Sequence, residues 1–555
     1  VASYPVAIPQ CFVDIYTYEG NTYSLQGAQV RAVVVTKSID PQADTGTFAL
    51  TLAPGGPNGA NQIPSWSDVI TPMSLVVIGM RRGTNAAITM LGVVRAVGEN
   101  QEWPVDRPGA PVDRQILITG FDFSYFYTMF TYYSLWYLGA TGVGVSAQTP
   151  SEGLPTQLGA SYLIGDPGQI AAAWFEGIMA GSIGVLSRSF VPFQGGKIFF
   201  GTAMARVIET YDVMVPYGEY FVGTEGSWID KYRLMLPFPF YEFFVTTSPT
   251  TGGTTSYEDP EGVNYADNSS GYAFTSKGLG SSITASPVMV ARRNPVPALT
   301  AQIENGVANF NGIDATAWRK LTVNQLDLGG FVSSQVSFDE SQVHNLYVIN
   351  PTFGTALNGG SNSSIIPYVM TAGGAGDAAS IHRYGLRPAS IETHWQCDPT
   401  GQFAQLNESS PVNNFILGAT LLARYASYWH PTPLMAKATV TTWLRPDILP
   451  GTIFRYSPFK GDVTWDFYVT GVTHRWVFGG PSVTQLTLER GLPTSVYADN
   501  NLLYNIHLGN ATRVGSTYTV GLPYDSSPTL QAIALGNFQD FLSNIASVYS
   551  KPQAP

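Results

Sequence analysis

The sequence predicts a mainly β protein with α+β insertions, built on two copies of one β-barrel module. Three observations carry that expectation. The 555-residue chain is 13% aromatic and only 12% charged, with 57 glycines. That balance suits half-buried pleated surfaces and opposes disorder, which needs high charge and few aromatics. The first 125 residues alternate short β-branched runs with Gly/Pro turns, the pattern of a barrel or sandwich. Three of those runs then recur, in the same order, near the end of the chain.

The amino-terminal runs are RAVVVTKSI (31–39), GTFALTL (46–52), SLVVIGM (74–80), AITMLGVVRAV (87–97) and QILITGFDF (115–123). Turn clusters APGGPNGAN (53–61) and RPGAP (107–111) separate them. Further on, Asp166-Pro167 reads as a helix start, with Ile170, Trp174 and Ile178 at helical spacing. An aromatic-dense stretch occupies 225–247, and TSPTTGGTTSYEDPEGVNYADNSSG (247–271) has the composition of a long surface loop. Asn414 caps an expected helix over 414–430, which Pro431 stops. Strand patterns return at KATVTTWLR (437–445), GTIFRYS (451–457), WDFYVTGVTHRWVF (465–478) and VTQLTLERG (483–491). In the tail, Leu530, Ile533, Phe538, Phe541, Ile545 and Val548 line one face of an expected docking helix over 528–549.

The repeat aligns SLVVIGM, ITMLGVVRAV and RQILITG with GTIFRYS, FYVTGVTHRW and TQLTLERG. On this reading Gly92 matches Gly471 and Gly120 matches Gly491, and the glycine inside each middle strand marks a bulge or bend. Two copies of a module per chain would let a trimer present six similar units around an axis. The expected division is a first barrel domain at 1–125 and an inserted α+β domain at 126–245. Connecting β segments at 246–350, with the long surface loop, complete the barrels. A second inserted domain follows at 351–435, a second barrel domain at 436–495, and a C-terminal extension at 496–555.

The net charge of −11 and the absence of basic blocks oppose sequence-specific nucleic-acid binding, although an acidic wall could surround DNA without holding it. Two cysteines, Cys11 and Cys397, are too few for a disulfide framework or a zinc site, and are expected as buried thiols. The first ten residues lack the features of a signal peptide, and the uncharged run 123–151 is too diluted by Tyr, Ser, Thr and Gly for a membrane span. The six histidines form no metal-binding spacing, so no metal is expected. No nucleophile elbow or phosphate loop occurs. The glycine pattern at Gly374, Gly376 and Ala379 is not followed by an amphipathic helix, so no cofactor is expected. Glu219, Glu225, Asp230 and Glu242 are the carboxylates that a glycan hydrolase could use. The simpler reading is capping, or ion pairing with Lys231 and Arg233, and the chain is read as not an enzyme.

Several ordered blocks resemble the hub proteins of contractile-tailed phages. They are GEYFVGTEGSWIDKYRLMLPFPFYEFFVTT, VMVARRNPVPAL (288–299), IHRYGLRP (381–388) and DFYVTGVTHRWVFGGPSVTQLTLERGLP (466–493). The amino-terminal GTFALTLAPGG and PSWSDVITPMSLVVIGM fit the same pattern. The resemblance, spanning most of 12–495, also reaches the spike modules of type VI secretion systems. It implies two tail-tube-like β-barrel modules per chain, forming a pseudo-hexameric ring in a homotrimer. The implied partners are a tail tube protein, a central spike protein, baseplate wedge proteins and a tape-measure protein, with DNA passing through the lumen. The implied location is the virion baseplate, after assembly in the host cytoplasm. No catalytic residue is transferred. A receptor-binding or fibre module is the alternative, and a cell-wall glycan hydrolase a more distant one.

Alternation along the strands singles out Val76, Ile78, Met90 and Val93 in the first barrel. In the second it singles out Trp443, Phe467, Val469, His474, Trp476 and Leu486, and Phe538 and Phe541 lie in the tail. These are the interface candidates, with barrel core as the competing reading, because alternation shows that one face is buried and not against what.

Overall fold

The computed structural model describes residues 7–132, 164–351, 368–393 and 436–520, with short gaps inside each range. The protein is mainly β, with large antiparallel sheets. Seven strands open the chain. They are β1 (Gln10–Tyr16), β2 (Thr22–Gln26), β3 (Val30–Ser38), β4 (Thr47–Leu52), β5 (Leu75–Arg82), β6 (Asn85–Glu102) and β7 (Asp113–Asp122). An inserted sheet contains β8 (Ala205–Glu209), β9 (Tyr241–Thr251), β10 (Tyr265–Ser269), β11 (Phe274–Ser276) and β12 (Gly280–Arg293). The chain then supplies β13 (Val323–Gln325), β14 (Phe331–Phe338), β15 (Ala436–Trp443), β16 (Ile453–Tyr456), β17 (Trp465–Val477) and β18 (Val483–Pro493).

The first seven strands and the last six form one 13-stranded sheet. Its lateral order is β2-β1-β5-β6-β7-β4-β3-β17-β18-β15-β14, with β16 also on β17 and β13 on β16. Two five-strand groups inside it follow the same path. β5-β6-β7-β4-β3 and β16-β17-β18-β15-β14 have identical chain order and identical antiparallel neighbours.

The registers agree as well. Val94 lies opposite Gly120, which lies opposite Phe48; Val469 lies opposite Leu488, which lies opposite Ala438. The middle strands bulge at Val94/Ala96 and at Val469/Gly471. The outer strands bulge at Val30/Ala32 and at Phe331/Ser333. Just before the first strand of the β5–β6 and β16–β17 hairpins, Met73 (φ 68°) and Gly451 (φ 77°) adopt the left-handed conformation. Their N–H groups donate to Val94 O at 2.8 Å and to Val469 O at 2.7 Å. Bulges are positional features of a strand pair, so their coincidence marks one module built twice.

The strand order read from the sequence is therefore present, but its glycine alignment is not. Ala96, not Gly92, is equivalent to Gly471, and Leu488, not Gly491, is equivalent to Gly120. Gly120 and Gly491 each lie under a phenylalanine ring of their own module. A Cβ on Gly120 would meet Phe48 Cε1 at 2.5 Å, and one on Gly491 would meet Phe467 Cε1 at 2.1 Å. Close packing, not the bulge, selects these two glycines.

Each module closes on a core. Val33, Leu50, Ile78, Val94 and Ile118 share the first, and Val440, Phe454, Phe467, Leu486 and Leu488 share the second. The opposite face of β1, β5 and β6 presents Tyr16, Val77, Leu91 and Val93 to Phe243 and Met289 of the inserted sheet. That sheet runs Thr254–Thr255, β9, β12, β8, β10, with β11 also on β12.

β9 runs through the expected boundary at 245 and into the segment read as a surface loop. Thr247 to Thr250 pair with Pro287 to Thr284, and Thr246, Thr247 and Ser248 are buried. The loop reading is corrected there: β-branched threonines fit a pleated sheet, although Thr/Ser/Pro composition resembles a turn. Phe126 and Tyr127, in a helix at Ser124–Met129, are buried in the core, and Gly168, Ala171 and Ala172 are helical. No helix among the described residues is long and apolar enough to cross a membrane. Residues 414–430, 528–549, the glycines Gly374 and Gly376, Cys397, Phe538 and Phe541 lie outside the described residues. Cys11 is a buried thiol.

Candidate functional site

The joint between the two modules is where the fold concentrates polar order. β3 pairs antiparallel with the second half of β17, from Ser38↔Gly471 to Ala32↔Val477. Backbone bonds extend the ladder at both ends: Ile39 N–H donates to Thr470 O and Phe478 N–H to Arg31 O, each at 2.9 Å. Thr36 and Thr473 face each other with hydroxyl oxygens 3.4 Å apart. From the second module, Leu444 and Trp476 insert into the first module's core, and the Trp476 indole N–H donates to Pro9 O at 3.2 Å. Apolar anchors and a continuous ladder together make this a permanent joint.

Charged groups are buried around it. Lys37 on β3 sends Nζ to Thr247 O of the inserted sheet at 3.1 Å, and Thr247 Oγ1 accepts from Leu91 N–H at 2.9 Å. Burial holds the Lys37 ammonium down to about 7, opposed by the Asp122 charge. Burial pushes the Asp122 carboxyl up to about 7, opposed by hydrogen bonds from Ser124, the charge of Lys37 and the Gly46 N–H. His474 on β17 is buried, with Nδ1 3.0 Å from Thr484 Oγ1. Burial, then the Lys37 charge, lowers its pKa to about 3, so the ring is neutral at pH 7.

A second network ties the inserted sheet to the second module. Arg292 of β12 pairs with Glu242 of β9, Nε to Oε2 at 3.0 Å. Its Nη2 donates to Gly451 O at 2.8 Å and reaches Tyr468 OH at 3.1 Å. The Tyr468 hydroxyl donates to Glu242 Oε1, and Tyr257 OH donates to Pro450 O at 2.8 Å. Burial, then the Glu242 charge, raises the Tyr468 pKa, which keeps the phenol protonated. An ion pair whose remaining lone pairs and protons are satisfied in this way can persist in a core.

The site residues expected from sequence fall into three places. Val76, Ile78 and Met90 are in the first core, Val93 is in the core shared with the inserted sheet, and Phe467, Val469 and Leu486 are in the second core. All seven are buried within this chain's own cores. His474 and Trp476 lie at the internal joint. Trp443 is 38% exposed, with the Arg82 guanidinium 6.0 Å from its ring centre. Of the carboxylates, Asp230 is exposed and accepts from Ser227 at the start of a helix over Trp228–Met235. Glu242 is held by Arg292 rather than by Lys231 or Arg233, while Glu219 and Glu225 lie outside the described residues. Among the described residues no group of three or more His, Cys, Asp and Glu could hold a metal ion. Sequence reasoning missed Lys37, Asp122 and Arg292. A lysine inside the otherwise apolar run RAVVVTKSI was the available signal.

No family model matches the chain, and no curated protein matches it by sequence. Among solved structures, the chain is similar to the 43 kDa tail protein of prophage MuSo2 from Shewanella oneidensis, at 10% identity and a TM-score of 0.39, over 87% of this chain and 98% of that one. It is similar to a tail protein from Neisseria meningitidis, at 9% identity and a TM-score of 0.39, over 86% of this chain and 96% of that one. It is also similar to an Escherichia coli type VI secretion component, described as resembling phage T4 tail proteins, at 8% identity and a TM-score of 0.33. That likeness covers 83% of this chain and 73% of the other.

Proposed function

We propose that the chain is the structural hub of a phage tail baseplate, joining the sixfold tail tube to the threefold central spike around the DNA channel. The observation that carries this reading is the doubled module. One polypeptide holds two copies of a five-strand unit with matching order, register and bulges, locked side by side through β3 and β17. Three such chains around an axis would present six similar units to a tube and a threefold face to a spike. The ordered sequence blocks that resemble tail hubs support the same role. Its work is assembly rather than catalysis: the buried carboxylate Glu242 is held in an ion pair, and Asp230, in the first turn of a helix, accepts from the capping Ser227 hydroxyl.

Light scattering on the purified chain, over a range of concentrations, tests this. A trimer of the 59.8 kDa chain is the expected mass. A chain that stays monomeric throughout contradicts the proposal.

A further inference from the structure

The two modules are built alike but their outer strands are covered differently. In the second module, the half of β17 beyond its bulge is paired on both sides, by β18 and by β3. In the first module, the equivalent half of β6 is paired by β7, and no other strand lies along it among the described residues. Arg95, Ala96 and Gly98 to Gln101 are exposed there. The Glu99 carboxylate accepts from the Ser67 hydroxyl, a side-chain contact rather than a strand pairing.

The complementary edge is β14, the equivalent of β3. It pairs with β15 and ends the sheet among the described residues, and seven of its eight residues are exposed. Phe331 and Val332 are each 43% exposed. The strand, FVSSQVSF, carries no charge and no proline, the usual devices that keep an open edge from pairing.

We propose that β14 of one chain pairs antiparallel with the outer half of β6 of a second copy, repeating between chains the joint that β3 and β17 make within one. This rests on the hub reading and specifies its subunit contact. The internal joint fixes the register. Thr36↔Thr473, Val35↔His474 and Val33↔Trp476 translate to Ser337↔Gly98, Val336↔Glu99 and Ser334↔Gln101. The contact is heterologous: each chain offers β14 at one end and β6 at the other. Such contacts close into a ring when their rotations add up to one full turn without a rise along the axis, and otherwise run on as an open filament. If the internal and external steps each turn one sixth of a circle, six steps close in three chains. The external version has Gln101 where the internal joint has Trp476, so it is the more polar of the two and suits association between chains.

Paired cysteines test the register. At the internal joint the equivalent residues, Thr36 and Thr473, face each other. A Cβ on Gly98 meets nothing within 4 Å, so Gly98→Cys is accommodated. The double variant Ser337→Cys/Gly98→Cys, in the full chain under mild oxidation, is expected to run as a covalent trimer on a non-reducing gel. Single variants, and the pair Val336→Cys/Gly98→Cys with side chains on opposite faces, are expected to remain unlinked. A variant that is trimeric by light scattering but unlinked overturns the strand pairing and leaves the hub reading standing. A disulfide within one chain, or a ladder running past trimer, overturns the pairing as a ring contact. A chain both monomeric and unlinked overturns the hub reading as well.

Discussion

The outer halves of β17 and β6 are the same piece of the module in two settings. Along β17, Val472, His474 and Trp476 are buried; β3 covers one edge, and Leu444 shares a core with Trp476. Along β6, the equivalent Val97 is half-buried and Glu99 and Gln101 are exposed. The sequence differs in the matching sense, with His and Trp inside the covered edge and Glu and Gln on the open one. The comparison shows that module geometry is shared, while side-chain polarity records which edge is covered within the chain. It also predicts that substitutions at the covered edge act on the stability of one chain, and substitutions at the open edge act on association.

The largest effect is expected at the ion pair behind the covered edge. Arg292→Leu leaves the Glu242 carboxylate buried beside Tyr468 without its cation, and is expected to cost about 3–5 kcal/mol in chemical denaturation. A loss below about 1 kcal/mol would mean that the network does not hold the second module to the inserted sheet. Next is Leu444→Ala, which empties a volume inside the first module's core and should cost about 2–4 kcal/mol. If its loss matched that of an exposed substitution, the two modules would not share a core.

How much of this was legible depends on which physical signal each feature leaves. The strands were legible because β-branched alternation is local, and the order of the repeat followed from it. The register was not. The eye aligns glycines, yet Gly120 and Gly491 answer to nearby phenylalanine rings, and the backbone mark shared by both copies falls on Met73 in one and Gly451 in the other. Methionine in a left-handed conformation has no sequence signature. The joint was hidden because β3 and β17 are far apart in the chain, and a strand edge leaves no mark on composition. The cover of the interface candidates was hidden for a related reason: alternation at Val76, Ile78, Phe467 and Leu486 reports burial without naming the cover, which within this chain is its own cores. The threonines of β9 were read as a loop because their neighbours Pro249 and Gly252 outweighed their β-branched side chains.

The covered edge should also respond to pH. His474 has a folded pKa near 3, below the ordinary 6.5. Between those values the unfolded chain binds the proton more readily, so this contribution to stability is complete above pH 6.5 and is lost as pH falls. The slope for one such group is about 1.4 kcal/mol per pH unit. Asp122, raised to about 7 from 3.8, works oppositely: the folded chain binds the proton more readily between those values, so its contribution falls as pH rises. His474→Gln removes the first contribution alone. Its stability is expected to decline less than the parent's between pH 6.5 and 4, measured by urea midpoints. Parallel curves would contradict a buried neutral His474.

The smallest effect on a single chain is expected at the open edge. Gln101→Ala should change its stability by no more than about 0.5 kcal/mol, as exposed substitutions usually do. A loss as large as that of Leu444→Ala would mean that β6 is covered within the chain.

The most direct test of the doubled module as a ring-forming unit is electron microscopy of the purified assembly, averaged down its axis. The account predicts a threefold particle with six similar lobes around a central channel. Single chains, or a particle with a twofold axis and no channel, would contradict it.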